Sequence, residues 1–297
     1  MLKFLAITGG VAVVAIAVVV SNREPSVDGR SLSEWLRLGV HSQFTRDNTD
    51  VTNAVRKIGV KAIPILLDKL RAEDPAWKET LTSGWRRRFF PEQWVHGTAW
   101  GYMEANWGFS ILGTQAVSAI PSLSAMMIEQ GRGGFQLGCI GTQALPVLKA
   151  ALTNDNAKIR INALFGAMAR SDVARAAAKE IVGLRHDTNE IVSMFALSAT
   201  SALPKDQQLA VLKAFLADPR PSIQVRALVS IEYRGLDSTN AIPLIVPFLT
   251  NIDFMVRRTA SNALLSVAPA TAAEYGISSN EFDMPRDAVR TGRNEFQ

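Results

Sequence analysis

The nine residues Ile58-Gly59-Val60-Lys61-Ala62-Ile63-Pro64-Ile65-Leu66 recur along the chain and limit what it can fold into. The phrase returns as Ile140-Gly141-Thr142-Gln143-Ala144-Leu145-Pro146-Val147-Leu148, and more loosely from Leu112-Gly113 to Ala119-Ile120-Pro121-Ser122-Leu123 with three residues inserted. A short form is Asn240-Ala241-Ile242-Pro243-Leu244. Glycine takes the positive-φ conformation that stops a helix, and proline suits the first turn of the next helix, where no N–H is needed. Each copy therefore predicts a tight helix-to-helix corner.

A second period follows the first. Ile159/Ala163, Val192/Ala196, Ile223/Ala227 and Val256/Ala260 each place an apolar residue and an alanine one helical turn apart, and the alanines fall 33, 31 and 33 residues from one another. A small residue at a fixed point lets successive helices approach closely, and a spacing in the thirties is that of stacked helical hairpins. Partner helices are expected over Leu145–Leu152, Val173–Leu184, Gln207–Leu216 and Ile242–Leu249. Turns are expected at Asn154-Asp155-Asn156, Asp187-Thr188-Asn189, Asp218-Pro219-Arg220-Pro221 and Asn251-Ile252-Asp253. Upstream, Ser31-Leu32-Ser33-Glu34 spells a capping box before a helix with Leu32, Trp35, Leu36 and Leu38 on its apolar side. Helices are also expected from Val51 to Ile58 and from Ala62 to Arg71, with Ile63, Leu66, Leu67 and Leu70 facing inward. A short closing helix is expected from Pro269 to Gly276. The fold class is all-α, an α-solenoid of stacked antiparallel helical hairpins preceded by an N-terminal hydrophobic helix.

Asp155 to Ala163, Asp218 to Ala227 and Asp253 to Ala260 each carry a polar or basic residue directly after an aliphatic one (Ile159-Arg160, Ile223-Gln224, Val256-Arg257). With the Ala-Ile-Pro phrase, these units resemble HEAT repeats over residues 29–270. An N-terminal apolar segment, then Gly29-Arg30-Ser31-Leu32-Ser33-Glu34-Trp35-Leu36, then Gly-x-x-Ala-Ile-Pro units is similar to bacterial exported HEAT-repeat proteins. The resemblance implies a protein-binding scaffold and brings no catalytic residue with it. Two departures stand out: Ser193 occupies a position where the pattern has a basic residue, and the stretch 73–106 fits no repeat.

Residues 4–20 form an uncharged apolar run behind Lys3, long for a signal-peptide core and short for a spanning helix. Residues 1–22 are expected to be a signal-anchor or signal peptide, 23–47 a linker and N-terminal capping helix, 48–276 the HEAT-like solenoid, and 277–297 a flexible tail. That makes the chain a single-pass inner-membrane protein with the solenoid on the extracytoplasmic side, or, if cleaved, a periplasmic or secreted one. The excess of 32 basic over 27 acidic residues is too small and too dispersed to indicate a nucleic-acid partner. Cys139 is the sole cysteine, which excludes an intrachain disulfide, and it reads as a small buried residue. No phosphate loop, H-E-x-x-H or G-x-S-x-G pattern occurs; Gly131-Arg132-Gly133-Gly134 reads as a hairpin turn and His186-Asp187 as an exposed interhelical turn. No catalytic residue, cofactor or metal ligand is therefore assigned.

The insertion at 73–106 concentrates tryptophan and arginine: Trp77, Trp85, Arg86, Arg87, Arg88, Trp94 and Trp100, with Trp107 just beyond. One reading packs the aromatics back on the repeats and leaves the arginines in water. The other makes these residues an interaction surface for a protein, or a contact with anionic lipid beside the membrane. The leading functional expectation is a non-enzymatic scaffold with an unidentified protein partner and membrane contact through residues 4–20. The alternatives are an auxiliary enzyme subunit of the HEAT-like lyase or chaperone type, and binding to an anionic lipid or polymer through the insertion.

Overall fold

The computed structural model describes residues 24–42, 48–74, 78, 97–233 and 237–278. The apolar run 4–20, the tail from 279 onward and all of Trp77, Trp85, Arg86–Arg88 and Trp94 lie outside those residues. The chain divides into two compact units, one ending at Val147 and the other beginning at Leu148. Within the described residues both are helical, apart from one small hairpin in the first unit.

That hairpin gives regular structure to the linker expected ahead of the capping helix. Strand β1 (Ser26–Val27) pairs antiparallel with β2 (Arg30–Ser31). The turn residues Asp28 and Gly29 both have positive φ, 52° and 79°, which an Asp-Gly two-residue loop is suited to supply. The Trp35 indole N–H donates to the Val27 carbonyl at 2.9 Å, and the Arg30 guanidinium lies 5.0 Å from the Trp35 ring centroid. The capping box is present: the Ser31 N–H donates to Glu34 Oε2 at 2.7 Å, and the Glu34 N–H donates to Ser31 Oγ at 3.3 Å. The Ser31 backbone bond, followed by its hydroxyl, holds the Glu34 carboxyl below the usual range. Helix α1 (Leu32–Ser42) buries Leu32, Trp35, Leu36 and Val40. Leu38, expected on the same side, is 43% exposed, because its position falls between the i, i+3, i+4 and i+8 residues of the stripe.

The corner phrase shapes the rest of the first unit. Helix α2 (Thr49–Ile58) stops at Gly59, φ 59°; a 3-10 turn over Gly59–Ala62 then leads into α3 (Ile63–Arg71), with Pro64 in its first turn. Helix α4 (Gly97–Leu112) stops at Gly113, φ 52°, and passes through Gly113–Ala119 into α5 (Ile120–Gln130), opened by Pro121. The three inserted residues lengthen this corner, and Ala116 leaves helical geometry at φ −89°, ψ 16°. Helix α6 (Gly134–Ile140) stops at Gly141, φ 99°, ahead of Thr142–Ala144 and α7 (Leu145–Leu152). A side chain at φ 99°, ψ −151° would be strained, so the glycine is a backbone requirement. Ala62, Ala116 and Ala144 are fully buried, and each corner packs on the next. The short fourth copy behaves differently. With no glycine before it, Pro243 lies inside α14 (Ser238–Ile245), whose start is capped by Asp237 accepting the Asn240 N–H at 2.9 Å.

Helix α4 also corrects the boundary of the insertion, since residues 97–106 belong to the helical array. Gly101, Ala105, Gly108 and Leu112 recur every three or four residues along one side of α4, the side that packs on α3. The fit is tight at Gly108, where a Cβ would come within 2.6 Å of Leu66 Cδ2. Gly108 is thus a close-approach position, where the missing side chain lets α4 and α3 pack. Residues 97–130 have the length and composition of a membrane span, yet they are broken at the Gly113 corner, and Glu104 is buried in ion pairing with Lys69 at 2.7 Å.

In the second unit the alanine period builds a row. Helices α8 (Ala157–Ala169), α11 (Glu190–Ala199), α13 (Pro221–Tyr233) and α15 (Phe254–Val267) pack in succession. Ala163, Ala196, Ala227 and Ala260 are each 0% exposed at their contact points. Behind the row lie α9 (Ser171–Ala176), α10 (Ala178–Gly183), α12 (Lys205–Leu216) and α14. The single helix expected over Val173–Leu184 is two short ones, interrupted at Ala177. A final helix, α16 (Pro269–Glu274), packs on α15 as expected of a terminal cap.

Candidate interaction surface

Of the tryptophans and arginines singled out in the insertion, Trp100 alone is among the described residues, half-buried in the first turn of α4. Trp107 is half-buried too, its ring over Gly39 of α1. Where the insertion leaves and rejoins the array, its ends are fastened. Asp74 accepts from Thr98 Oγ1 and from Lys78 Nζ, both at 2.5 Å, and Glu73 pairs with Arg132 at 3.5 Å. Glu73, Asp74, Thr98 and Arg132, with Ala72, Ala99 and Tyr102, line an open groove of about 570 Å³. Gly131-Arg132-Gly133-Gly134 forms the expected turn between α5 and α6, with Gly131 in the left-handed conformation.

In the second unit the residue after each aliphatic core position turns back onto the loop before its helix. Arg160 Nη1 donates to the carbonyls of Asn154 and Asp155 at 2.7 and 2.8 Å, Gln224 Nε2 to that of Asp218 at 2.8 Å, and Arg257 Nη1 to those of Asn251 and Ile252 at 2.6 and 2.8 Å. Ser193 is too short to span its loop as an arginine would, and its hydroxyl reaches the Leu184 carbonyl at 3.1 Å. The guanidinium arrives from the next repeat. Arg220 donates to the carbonyls of Asp187 at 2.9 Å and Arg185 at 2.7 Å, and to Ser193 Oγ at 3.3 Å.

Carboxylates tie these groups together. Asp187 accepts a two-pronged bond from Arg160, 2.8 and 2.7 Å, and Asp218 accepts another from Arg220, 2.9 and 2.8 Å. The Arg220 bonds hold the Asp218 carboxyl below the usual carboxylate range against the opposing effect of burial, and Asp218 in turn raises Arg220. This corrects the expectation that His186-Asp187 is simply exposed. The His186 side chain is 62% exposed, whereas that of Asp187 is 7% exposed and ion-paired. Paired and hydrogen-bonded in this way, these charges hold successive loops in register.

Beside them, Leu152–Asp155, Arg160, Lys179, Glu180, Gly183, Leu184 and Asp187 line an open groove of about 620 Å³. There Glu180 Oε1 pairs with Lys149 at 3.0 Å, while Oε2 is buried without a hydrogen-bond partner. Among the described residues no group of three or more His, Cys, Asp or Glu is placed to hold a metal ion. Cys139 is buried, as expected.

The side of the row turned away from α12 and α14 is a different surface. Positions five and two residues before the packing alanine, and two after it, lie opposite the buried stripe. They place Phe165 (40% exposed), Ile191 (53%) and Met255 (51%) at the surface, with Ile161, Met194 and Val225 half-buried between them. Phe165 and Phe195 meet across α8 and α11 with ring centroids 4.9 Å apart, so neighbouring helices share one apolar patch. The sequence reading missed these residues. Their signal is an apolar position that recurs off the core stripe.

No family model and no curated protein sequence matches the chain. Among solved structures it is similar to a designed armadillo repeat protein in complex with the peptide (KR)4, at 15% identity and a TM-score of 0.36, over 78% of this chain and 99% of that one. A second designed armadillo repeat protein matches at 15% identity and a TM-score of 0.35, over 69% of this chain and 99% of that one. An engineered protein matches at 14% identity and a TM-score of 0.33, over 80% of this chain and 96% of that one. At those scores neither residue roles nor binding properties transfer.

Proposed function

We propose that the chain is a non-enzymatic HEAT-type repeat protein that binds a protein partner along the open side of α8, α11, α13 and α15. The observation that carries this reading is the Phe165–Phe195 pair that joins α8 and α11, with Ile191 and Met255 exposed on the same side of a row whose other side buries its own apolar residues. Exposed apolar area that is continuous across elements marks interaction sites far more often than scattered single residues do. The HEAT assignment is supported by alanines 33, 31 and 33 residues apart, the Asp and Asn turns, and the arginines that close their own loops.

The combined variant Phe165→Ser, Ile191→Ser and Met255→Ser tests the reading. Affinity capture of wild type and variant from native membranes, each confirmed as folded, should recover a set of proteins with the wild type that the variant loses. Equal recovery with both contradicts it.

On the sequence of residues 4–20 we further propose that the repeat region lies on the extracytoplasmic side, held by that segment or released after its cleavage. Protease added to intact spheroplasts should then digest or fail to find the repeat region inside them. Full protection until lysis would place it in the cytoplasm.

A further inference from the structure

Building on the reading of the open side as a binding surface, we propose that its occupant is an acidic amphipathic peptide segment, with Asp or Glu side chains set among apolar ones. Lys158 of α8 and Arg258 of α15 belong to this side, at five and two residues before their packing alanines, and Arg226 of α13, one residue before its alanine and next to Val225, stands at its edge. Lys158 and Arg226 are exposed and Arg258 is half-buried. None of the three side chains has an ion-pair or hydrogen-bond partner among the described residues.

The contrast with neighbouring arginines is informative. Arg160 is paired with Asp187, Arg220 with Asp218, and Arg257 with two loop carbonyls, so the guanidinium groups that serve the fold are engaged in it. The three unengaged cations share their helices with apolar residues of the open side: Lys158 with Phe165 on α8, Arg226 with Val225 on α13 and Arg258 with Met255 on α15. Carboxylates also occur along these helices, Asp155 in the loop before α8, Glu190 in the first turn of α11 and Glu232 in the last turn of α13.

Unpaired cations beside apolar surface favour a partner that brings carboxylates to the first and apolar side chains to the second. Three dispersed charges fall short of the dense basic cluster of about four to eight residues that recruits anionic lipid, which is why a peptide is the better match.

The test uses the full chain in nanodiscs of zwitterionic lipid, with fluorescence anisotropy of a short amphipathic Glu/Leu peptide and its Lys/Leu counterpart of the same apolar pattern. The Glu/Leu peptide should bind at least about tenfold more tightly, and Arg226→Glu combined with Arg258→Glu should abolish or invert the preference. Circular dichroism checks both proteins; if the double reversal melts early, Arg226→Gln alone must still weaken Glu/Leu binding. Equal binding of the two peptides, indifference to the reversals, or capture by phosphatidylglycerol vesicles with no peptide binding each overturns the proposal. Loss of partner capture in the serine variant together with non-discriminating peptides would overturn the acidic occupant and leave the binding side standing. If neither experiment responds, both readings fall.

Discussion

Asp218 is a buried carboxylate of the second unit, with its side chain 2% exposed and two guanidinium bonds from Arg220. Its folded pKa lies below its unfolded value, so the stabilisation it provides is complete above about pH 4 and is lost as pH falls through the folded pKa. Asp218→Asn should cost about 2 kcal/mol at neutral pH, and the variant should lose less stability than wild type between about pH 5 and about pH 3. Urea unfolding at both pH values checks this, and parallel losses in the two proteins would assign acid sensitivity elsewhere. The turn at Asp218 was legible from its Pro and Asp residues. Its link to the earlier loop was not: Arg220 reaches carbonyls 33 and 35 residues back, and no local pattern reports a bond of that range.

Elements were legible where local chemistry and packing agree. The corners at Gly59, Gly113 and Gly141 could be read because glycine conformation and proline placement act within a few residues. Helix α4 was hidden because Gly101 and Gly108 lower local helix propensity, while the value of Gly108 lies in the close approach of Leu66 on α3. The departure at Ser193 has a comparable explanation, since Arg220 of the following repeat fills the place that Arg160 and Arg257 fill for their own loops. Arg220→Ala should therefore destabilise the second unit by about 2 kcal/mol. Adding Ser193→Arg, which restores a guanidinium from the loop's own helix, should recover about half of that loss. Additive destabilisation in the double variant would refute the exchange of roles.

At the scale of the whole molecule, the repeat architecture accounts for most of the periodic apolar residues, and what it leaves at the surface is the basis of the proposed function. The open side of α8, α11, α13 and α15 could not be read directly from the sequence. Its residues come from helices about thirty residues apart, and exposure becomes visible once the packing alanines fix which side is buried. The Trp/Arg-rich stretch drew attention by composition, whereas the open side is defined by geometry. Site-specific photo-crosslinking in native cells is the most direct test of that distinction. A benzophenone side chain in place of Phe165 or Ile191 should give discrete, light-dependent protein adducts, and one in place of Lys213, exposed on α12, should not. Adducts absent from the first two positions, or equally strong at the third, would contradict a binding function for this side of the row.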